Sequence, residues 1–256
     1  MSEAQVTSAG RLIAVLDALS AHASGSSAGM TVGELARAVD RDHSVISRQL
    51  KSLVELGLVD KDEQNLHRLG WRLYALAARA GDQRLLQVAP RVMRTLATRL
   101  NERVHLSLRR NGSVLTIMTE GSEHTLQAAS WVGRLAPIVT SSSGRALLFD
   151  HSPEELADLF DSTPAVAGGP NASRTAEEFV RRVLAARDAG YAQVVDEFEH
   201  GLSAVAAPIR DGAGRIVAAI NVSAPSFRLE GRMDEAVQQI LAATKYLGKA
   251  LEAPPS

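Results

Sequence analysis

Residues 31–61, TVGELARAVDRDHSVISRQLKSLVELGLVDK, constrain this chain more than any other stretch, because they place two helices and the start of a hairpin back to back. Thr31 followed by Glu34 is a capping box: the hydroxyl takes a free backbone N–H and the carboxylate reaches back to the cap residue. Val32, Leu35, Ala36 and Val39 then recur at helical spacing. Asp40, Arg41 and Asp42 interrupt that pattern, and either Asp42 or Ser44 caps a second helix. Its inward stripe is Val45, Ile46, Leu50, Leu53 and Val54. Gly57 ends it where a left-handed residue is needed. Leu58 and Val59 begin a strand, Asp62 to Asn65 suit a turn, and Leu66 to Leu69 return. Short helix, turn, longer helix and hairpin in this order form a winged helix-turn-helix.

The outward face of the second helix, residues 43–56, carries His43, Ser44, Ser47, Arg48 and Lys51, a polar and basic set that fits the major groove of DNA. Any surface helix has a polar face, so the motif context supports DNA binding, not the charge. Residues 1–80 hold nine Lys/Arg and nine Asp/Glu. The positive charge available to phosphates is therefore concentrated at Arg41, Arg48, Lys51, Lys61 and Arg68, with the wing and Arg68 touching the backbone.

The whole chain bounds the alternatives. Its 256 residues suit one large domain or two small ones, and 45% hydrophobic with 22% charged residues is ordinary for a soluble globular protein. A net charge of −1 argues against coating a membrane or a polyelectrolyte. With no cysteine there is no disulfide, thiolate metal site or thiol nucleophile, which fits a reducing cytoplasm. No apolar run reaches the roughly 20 residues that cross a bilayer, and MSEAQVTSAG lacks a secretory pattern. Histidines 22, 43, 67, 105, 124, 151 and 200 are scattered, with no HExxH or other metal spacing, so no metal is expected. Gly212-Ala213-Gly214 lacks the third glycine of a dinucleotide site, so no cofactor is expected. Gly201-Leu202-Ser203 starts like a nucleophile elbow, but Val205 replaces the second glycine, and catalysis is rejected.

Along the chain, residues 10–23 read as an amphipathic helix and 24–29 as a flexible link. Residues 71–82 return to helical spacing through Leu73, Leu76 and Ala77. Trp71 and Tyr74 there either serve a connector or dimer contact or pack on the preceding domain. A helix over 83–101 points Leu86, Val92, Leu96 and Leu100 inward. RVHLSLRR from Arg103 alternates like a half-buried strand, and Asn111-Gly112 joins it to SVLTIMTE as a hairpin. Residues 124–130 and 134–140 suggest two further strands. SSSGRALLFD reads as a loop entering a helix. Ser152 to Glu155 and Thr175 to Glu178 open two more helices, the second stopped by Gly190. Strands at 191–196, 203–210 and 215–223 precede a final helix over 232–250 and a frayed EAPPS tail. Hairpins with helices gathered beside them make an α+β fold on an antiparallel sheet.

The order of these elements resembles the IclR family of bacterial transcription regulators over roughly residues 8–250. TVGELARAV and SVISRQLKSLVELGLV carry it in the first half. APIVTSSSGRALL, YAQVVDEFEHGLSAVAAPI and GRIVAAINVSAP carry it in the second. The family usually ends its wing with an aromatic residue before LG; His67-Arg68-Leu69-Gly70 stands there instead. The resemblance implies a winged helix-turn-helix over 1–70, a linker helix over 71–82 and a GAF-like effector-binding domain over 83–256. It implies homodimers or homotetramers on a pseudo-palindromic double-stranded DNA operator, with repression the commoner outcome. It places a small-molecule effector over the sheet, against Ser141, Ser142, Ser143, Asp196, Ala204, Asn221 and Ser223. Free N–H groups where the serines enter their helix favour a carboxylate, although serines there also simply cap helices. Asn221 and Ser223 lie two apart and share a face. An Asp and a Cys that some members use for small acids correspond to Val194 and Ala204, so the ligand here is larger or more apolar. Trp131, Val132 and Leu135 form either an apolar wall or ordinary core. The competing functions are a sensor whose helix-turn-helix contacts protein, and a hydrolase acting through Ser203.

Overall fold

The computed structural model describes residues 7–23, 29–77, 83–121, 131–164 and 168–252. The chain divides into two compact units, Met1–Gln83 and Arg84–Ser256.

Unit 1 contains α1 (Ser8–Ala23), α2 (Val32–Ala38), α3 (His43–Glu55), β1 (Val59–Lys61), β2 (His67–Leu69) and α4 (Trp71–Ala77). The capping box forms: Thr31 Oγ1 accepts from Glu34 N at 3.3 Å, and a Glu34 carboxylate oxygen accepts from Thr31 N at 2.8 Å. Asp42 occupies the cap position of α3 with no side-chain cap bond. Ser44 lies inside the helix, so neither expected cap forms. Gly57 is left-handed at φ 68°, which lets the chain turn into β1. Strands β1 and β2 pair antiparallel with Asp60 opposite Arg68, and Met30 bridges to His67 on the other side. Val15, Leu19, Leu35, Ile46, Leu50, Leu53 and Val59 form the core. His67, the departure from an aromatic wing end, is buried and lies with Nδ1 3.3 Å from the Met30 carbonyl. A Cβ on Gly70 would meet the Gly57 carbonyl oxygen at 2.4 Å, so only glycine passes beneath that turn.

In α4, Trp71 is 80% and Tyr74 70% exposed. They touch each other edge to face, ring centroids 6.3 Å apart. Packing on the preceding domain is thereby overturned. Residues 78–82 of the expected linker helix lie outside the described residues.

Unit 2 is a six-stranded antiparallel sheet in the order β5-β4-β3-β8-β7-β6. The strands are β3 (Arg103–Arg110), β4 (Ser113–Glu120), β5 (Leu135–Pro137), β6 (Ala192–Val195), β7 (Leu202–Arg210) and β8 (Ile216–Pro225). One face packs on α5 (Gln83–Leu100) and α10 (Met233–Glu252) through Leu106, Val205, Ile209, Ile220 and Val222. The other packs on α6 (Ser142–Leu147), α7 (Pro153–Ser162) and α8 (Ala176–Ala189) through Val114, Ala192, Ala206 and Ala219. A short α9 (Ser226–Leu229), unforeseen in the sequence, follows β8.

Three expectations change. The buried stripe of α5 is Leu85, Ala89, Met93, Leu96, Ala97 and Leu100, while Leu86 and Val92 are only partly buried. Strand β3 is not half-buried: Val104 to Ser107 are buried on both faces, because helices lie on one side and a cavity wall on the other. The 134–140 strand shrinks to Leu135–Pro137, and the 124–130 strand lies outside the described residues. The caps at Ser152 and Thr175 and the left-handed stop at Gly190 form as the sequence indicates.

Candidate DNA-reading face and effector cavity

The amphipathic character of α3 separates its two sides cleanly. Ile46, Leu50 and Leu53 are sealed in the core, while His43, Ser44, Ser47, Arg48 and Lys51 are exposed on the opposite face. The Arg48 guanidinium makes one weak bond, Nε to the Ser44 carbonyl at 3.4 Å. Arg41 and Lys61 are also exposed. Arg68 on the wing is exposed and ion-paired to Asp62 at 3.1 Å. An exposed pair of this kind contributes little and exchanges readily for another anion.

In unit 2 the sheet and α6 enclose a cavity of about 500 Å³. Strand register builds its floor. His105 on β3 pairs with Asn221 on β8, Arg103 with Ser223, and Ser223 with Ala204 on β7. A bulge between Leu106 and Ser107 brings Ser107 opposite Thr116 of β4, so these polar side chains share the cavity face. Trp131 and Phe198 meet edge to face in the wall at 5.8 Å. At the rim Arg228 grips the buried Glu102 carboxylate through two bonds of 2.7 Å.

Of the expected effector residues, Ser141, Ser142, Ser143, Ala204, Asn221 and Ser223 line this cavity. Val194 lines it too, directly opposite Ala204 in the β6–β7 ladder. Asp196 is not among the lining residues. Left-handed at φ 56°, it closes the turn after β6, its carboxylate accepting from Gly201 N at 2.8 Å and from Ser226 Oγ at 3.3 Å. Glu197 does not face solvent; it is buried between Arg145 and Arg182. Of the apolar trio, Trp131 is wall, whereas Val132 and Leu135 are exposed and belong to neither wall nor core.

The serine run caps its helix and leaves two N–H groups open beside the cap. Ser141 Oγ caps α6 by accepting from Gly144 N at 3.1 Å. The backbone N–H groups of Ser142 and Ser143 have no partner among the described residues. Ser143 Oγ donates to Asn221 Oδ1 at 2.9 Å, leaving the Asn221 amide donors for the cavity. This end can hold an oxygen acceptor such as a carboxylate or carbonyl. A Cβ on Gly144 would lie 2.0 Å from the Ile138 carbonyl oxygen, so α6 sits this close only through glycine.

Arg103, His105, Ser107, Thr116, Glu102 and Arg228 escaped the sequence reading. The period-two spacing of Arg103, His105 and Ser107 was available as a signal; the pairing of β3 with β8 that makes it a cavity floor was not. His105 lies between Thr119 Oγ1 at 2.9 Å and Ser223 Oγ at 3.2 Å. Burial, helped by the Arg103 charge, lowers its pKa to about 4. A base with a depressed folded pKa favours the folded state while it stays neutral. Its contribution is complete above the unfolded value of 6.5 and is lost as pH falls towards about 4. Urea titrations from about pH 7 down to about pH 4 should therefore show His105→Gln losing about 3 kcal/mol less stability than the parent chain. Parallel curves would refute this.

Ser203 lies within the continuous strand β7, fully buried, donating to Ser226 Oγ at 2.8 Å. No strand-to-helix turn presents it to a substrate, so the elbow is not formed. Among the described residues no His, Cys, Asp or Glu cluster could hold a metal, and no helix is long and apolar enough to cross a membrane.

Comparison with known proteins places these two sites in context. Residues 78–248 match the family described as bacterial transcriptional regulator IclR C-terminal, and residues 13–62 match a helix-turn-helix domain family. The HTH-type transcriptional regulator KdgR of Escherichia coli (strain K12) is 26% identical over 245 residues, 94% of this chain and 91% of that protein. The HTH-type transcriptional repressor AllR of the same strain is 30% identical over 212 residues, 80% of this chain and 76% of that protein. Among solved structures, an IclR homologue from Microbacterium hydrocarbonoxydans complexed with 4-hydroxybenzoate superposes with TM-score 0.74 at 25% identity, covering 96% of this chain and 99% of its own.

Proposed function

Because the chain belongs to the IclR family of bacterial transcriptional regulators, we propose that it is a cytoplasmic repressor controlled by a small molecule. In this reading α3 enters the major groove of a pseudo-palindromic operator, with Ser44, Ser47, Arg48 and Lys51 meeting base edges. His43 stands at the head of that helix, and Arg41, Lys61 and Arg68 meet phosphates. A homodimer supplies two such helices and a homotetramer four. The observation that carries the reading is the two-sided character of α3: an apolar stripe locked in the core and a polar, basic face left open.

The effector occupies the cavity of unit 2. Its acceptor group, a carboxylate or carbonyl, meets the N–H groups of Ser142 and Ser143 and the Asn221 amide, and its body lies along Val194, Ala204 and Trp131. An aromatic acid such as the 4-hydroxybenzoate of the solved relative has this polarity. Control of DNA binding requires that the ligand favour one arrangement of the DNA-reading helices over another.

The test is to sequence the genomic fragments that the purified chain retains, then titrate one of them across increasing salt. Affinity for DNA should fall linearly on logarithmic axes, by about 0.9 per phosphate neutralised. Retention of no fragment, or binding indifferent to salt, would instead favour a sensor whose α3 docks on protein.

A further inference from the structure

Two hydroxyls on the cavity floor are buried yet left open. Ser107 of β3 is 2% exposed and Thr116 of β4 6%, and both line the cavity. They stand opposite each other in the β3–β4 ladder, their Cβ atoms about 5 Å apart. Neither hydroxyl makes a hydrogen bond among the described residues. Their polar neighbours are engaged. His105 lies between Thr119 and Ser223, Asn221 Oδ1 accepts from Ser143, and Arg228 holds Glu102. Buried polar groups are ordinarily satisfied, so this pair is built to meet something that enters the cavity.

The chemistry of the pair defines that partner. Each hydroxyl both donates and accepts, and neither carries charge. A hydroxyl on the ligand matches them, since it also does both. A carboxylate only accepts, and the open N–H groups of Ser142 and Ser143 suit it better.

Strand register sets how far that hydroxyl lies from the acid. Asn221 stands opposite His105, and Ser107 is two residues further along β3. Combining strand spacing with rise puts the backbone positions of Asn221 and Ser107 about 8 Å apart. On the other side of Asn221, β7 and β6 offer the cavity Leu202, Ala204 and Val194, all apolar. A second polar group on a ligand anchored at Asn221 is thus received over β3 and β4, not over β6 and β7.

Resting on the effector reading above, we propose that Ser107 and Thr116 form a second subsite that reads an uncharged hydroxyl remote from the effector's carboxylate. The effector class is then a hydroxylated acid, not a plain one.

The experiment is calorimetric titration of the full chain with acids that differ by one hydroxyl. One series is benzoate with its 2-, 3- and 4-hydroxy forms, and the other is hexanoate with 6-hydroxyhexanoate. The parent chain should bind a remote hydroxy acid at least about tenfold tighter than its plain counterpart, because a site built for a hydroxyl rejects the analogue lacking it. The 2-hydroxy form, whose hydroxyl adjoins the carboxylate, should gain nothing. Ser107→Ala/Thr116→Val should bind the plain acid as the parent does and lose the preference. Each single change should lose part of it, so the test survives a double variant that does not fold. Thr116→Ser, which keeps the hydroxyl, should retain it. A parent chain indifferent to the hydroxyl, a gain with the 2-hydroxy form, or a preference untouched by the variants overturns the proposal and leaves the effector reading standing. If no acid of either series binds the parent chain, the effector reading falls, and this proposal with it.

Discussion

Replacing Arg48 and Lys51 together by alanine is expected to weaken operator binding about 100-fold at physiological salt, each side chain contributing about 1–3 kcal/mol through base or phosphate contacts. Both are exposed on α3, and the one bond Arg48 makes is to its own helix. Removing them leaves Ile46, Leu50 and Leu53 in place, and alanine is the best helix former. The circular dichroism spectrum and thermal midpoint should stay within about 2 °C of the parent chain, since exposed positions of this kind change stability by less than about 0.5 kcal/mol. Retained operator affinity in a titration would remove the basis for assigning base readout to this face.

The second large effect concerns the wall of the cavity. Glu197 is buried, and its carboxylate faces Arg145 at 2.5 Å and Arg182 at 3.0 Å. Arg145 is itself buried on α6, spends Nη1 on the Gln193 carbonyl at 2.8 Å, and has an Nε with no partner. Glu197→Ala leaves that guanidinium sealed without a counter-charge, a situation that costs about 3–5 kcal/mol. Glu197→Gln, which retains hydrogen-bonding oxygen but not charge, should cost less. Urea unfolding of the full chain should show the loss in the transition of unit 2, with that of unit 1 unmoved. Because α6 also presents Ser142 and Ser143 to the cavity, ligand affinity should fall in parallel. A Glu197→Ala chain within about 1 kcal/mol of the parent would mean water reaches Arg145 and the pair is not sealed.

Much of this molecule can be read from short-range rules. The capping boxes at Thr31 and Ser152, the glycine stops at Gly57 and Gly190 and the Asn111 turn depend on residues within about four positions of one another. Their geometry follows wherever the rest of the chain goes. The face of α3 is equally local, since one period separates core from solvent. Sequence reading failed where a residue's surroundings come from elsewhere in the chain. Asp196 looks like a ligand-facing acid, yet its left-handed backbone turns the carboxylate onto Gly201 and Ser226. His105 looks like one scattered histidine, yet β8 supplies Ser223 and β4 supplies Thr119 on its two sides.

What the sequence alone determined is therefore most of the long helices and the tight turns, the winged helix-turn-helix, and the open basic side of α3, all consequences of spacing and local turn chemistry over a few residues. The tertiary structure decided which side chains meet. Antiparallel pairing of β3 with β8, more than a hundred residues apart in the chain, built the cavity floor from Arg103, His105, Asn221 and Ser223. Strand partners are selected by burial of both sheet faces at once, a global condition that no local window of sequence contains.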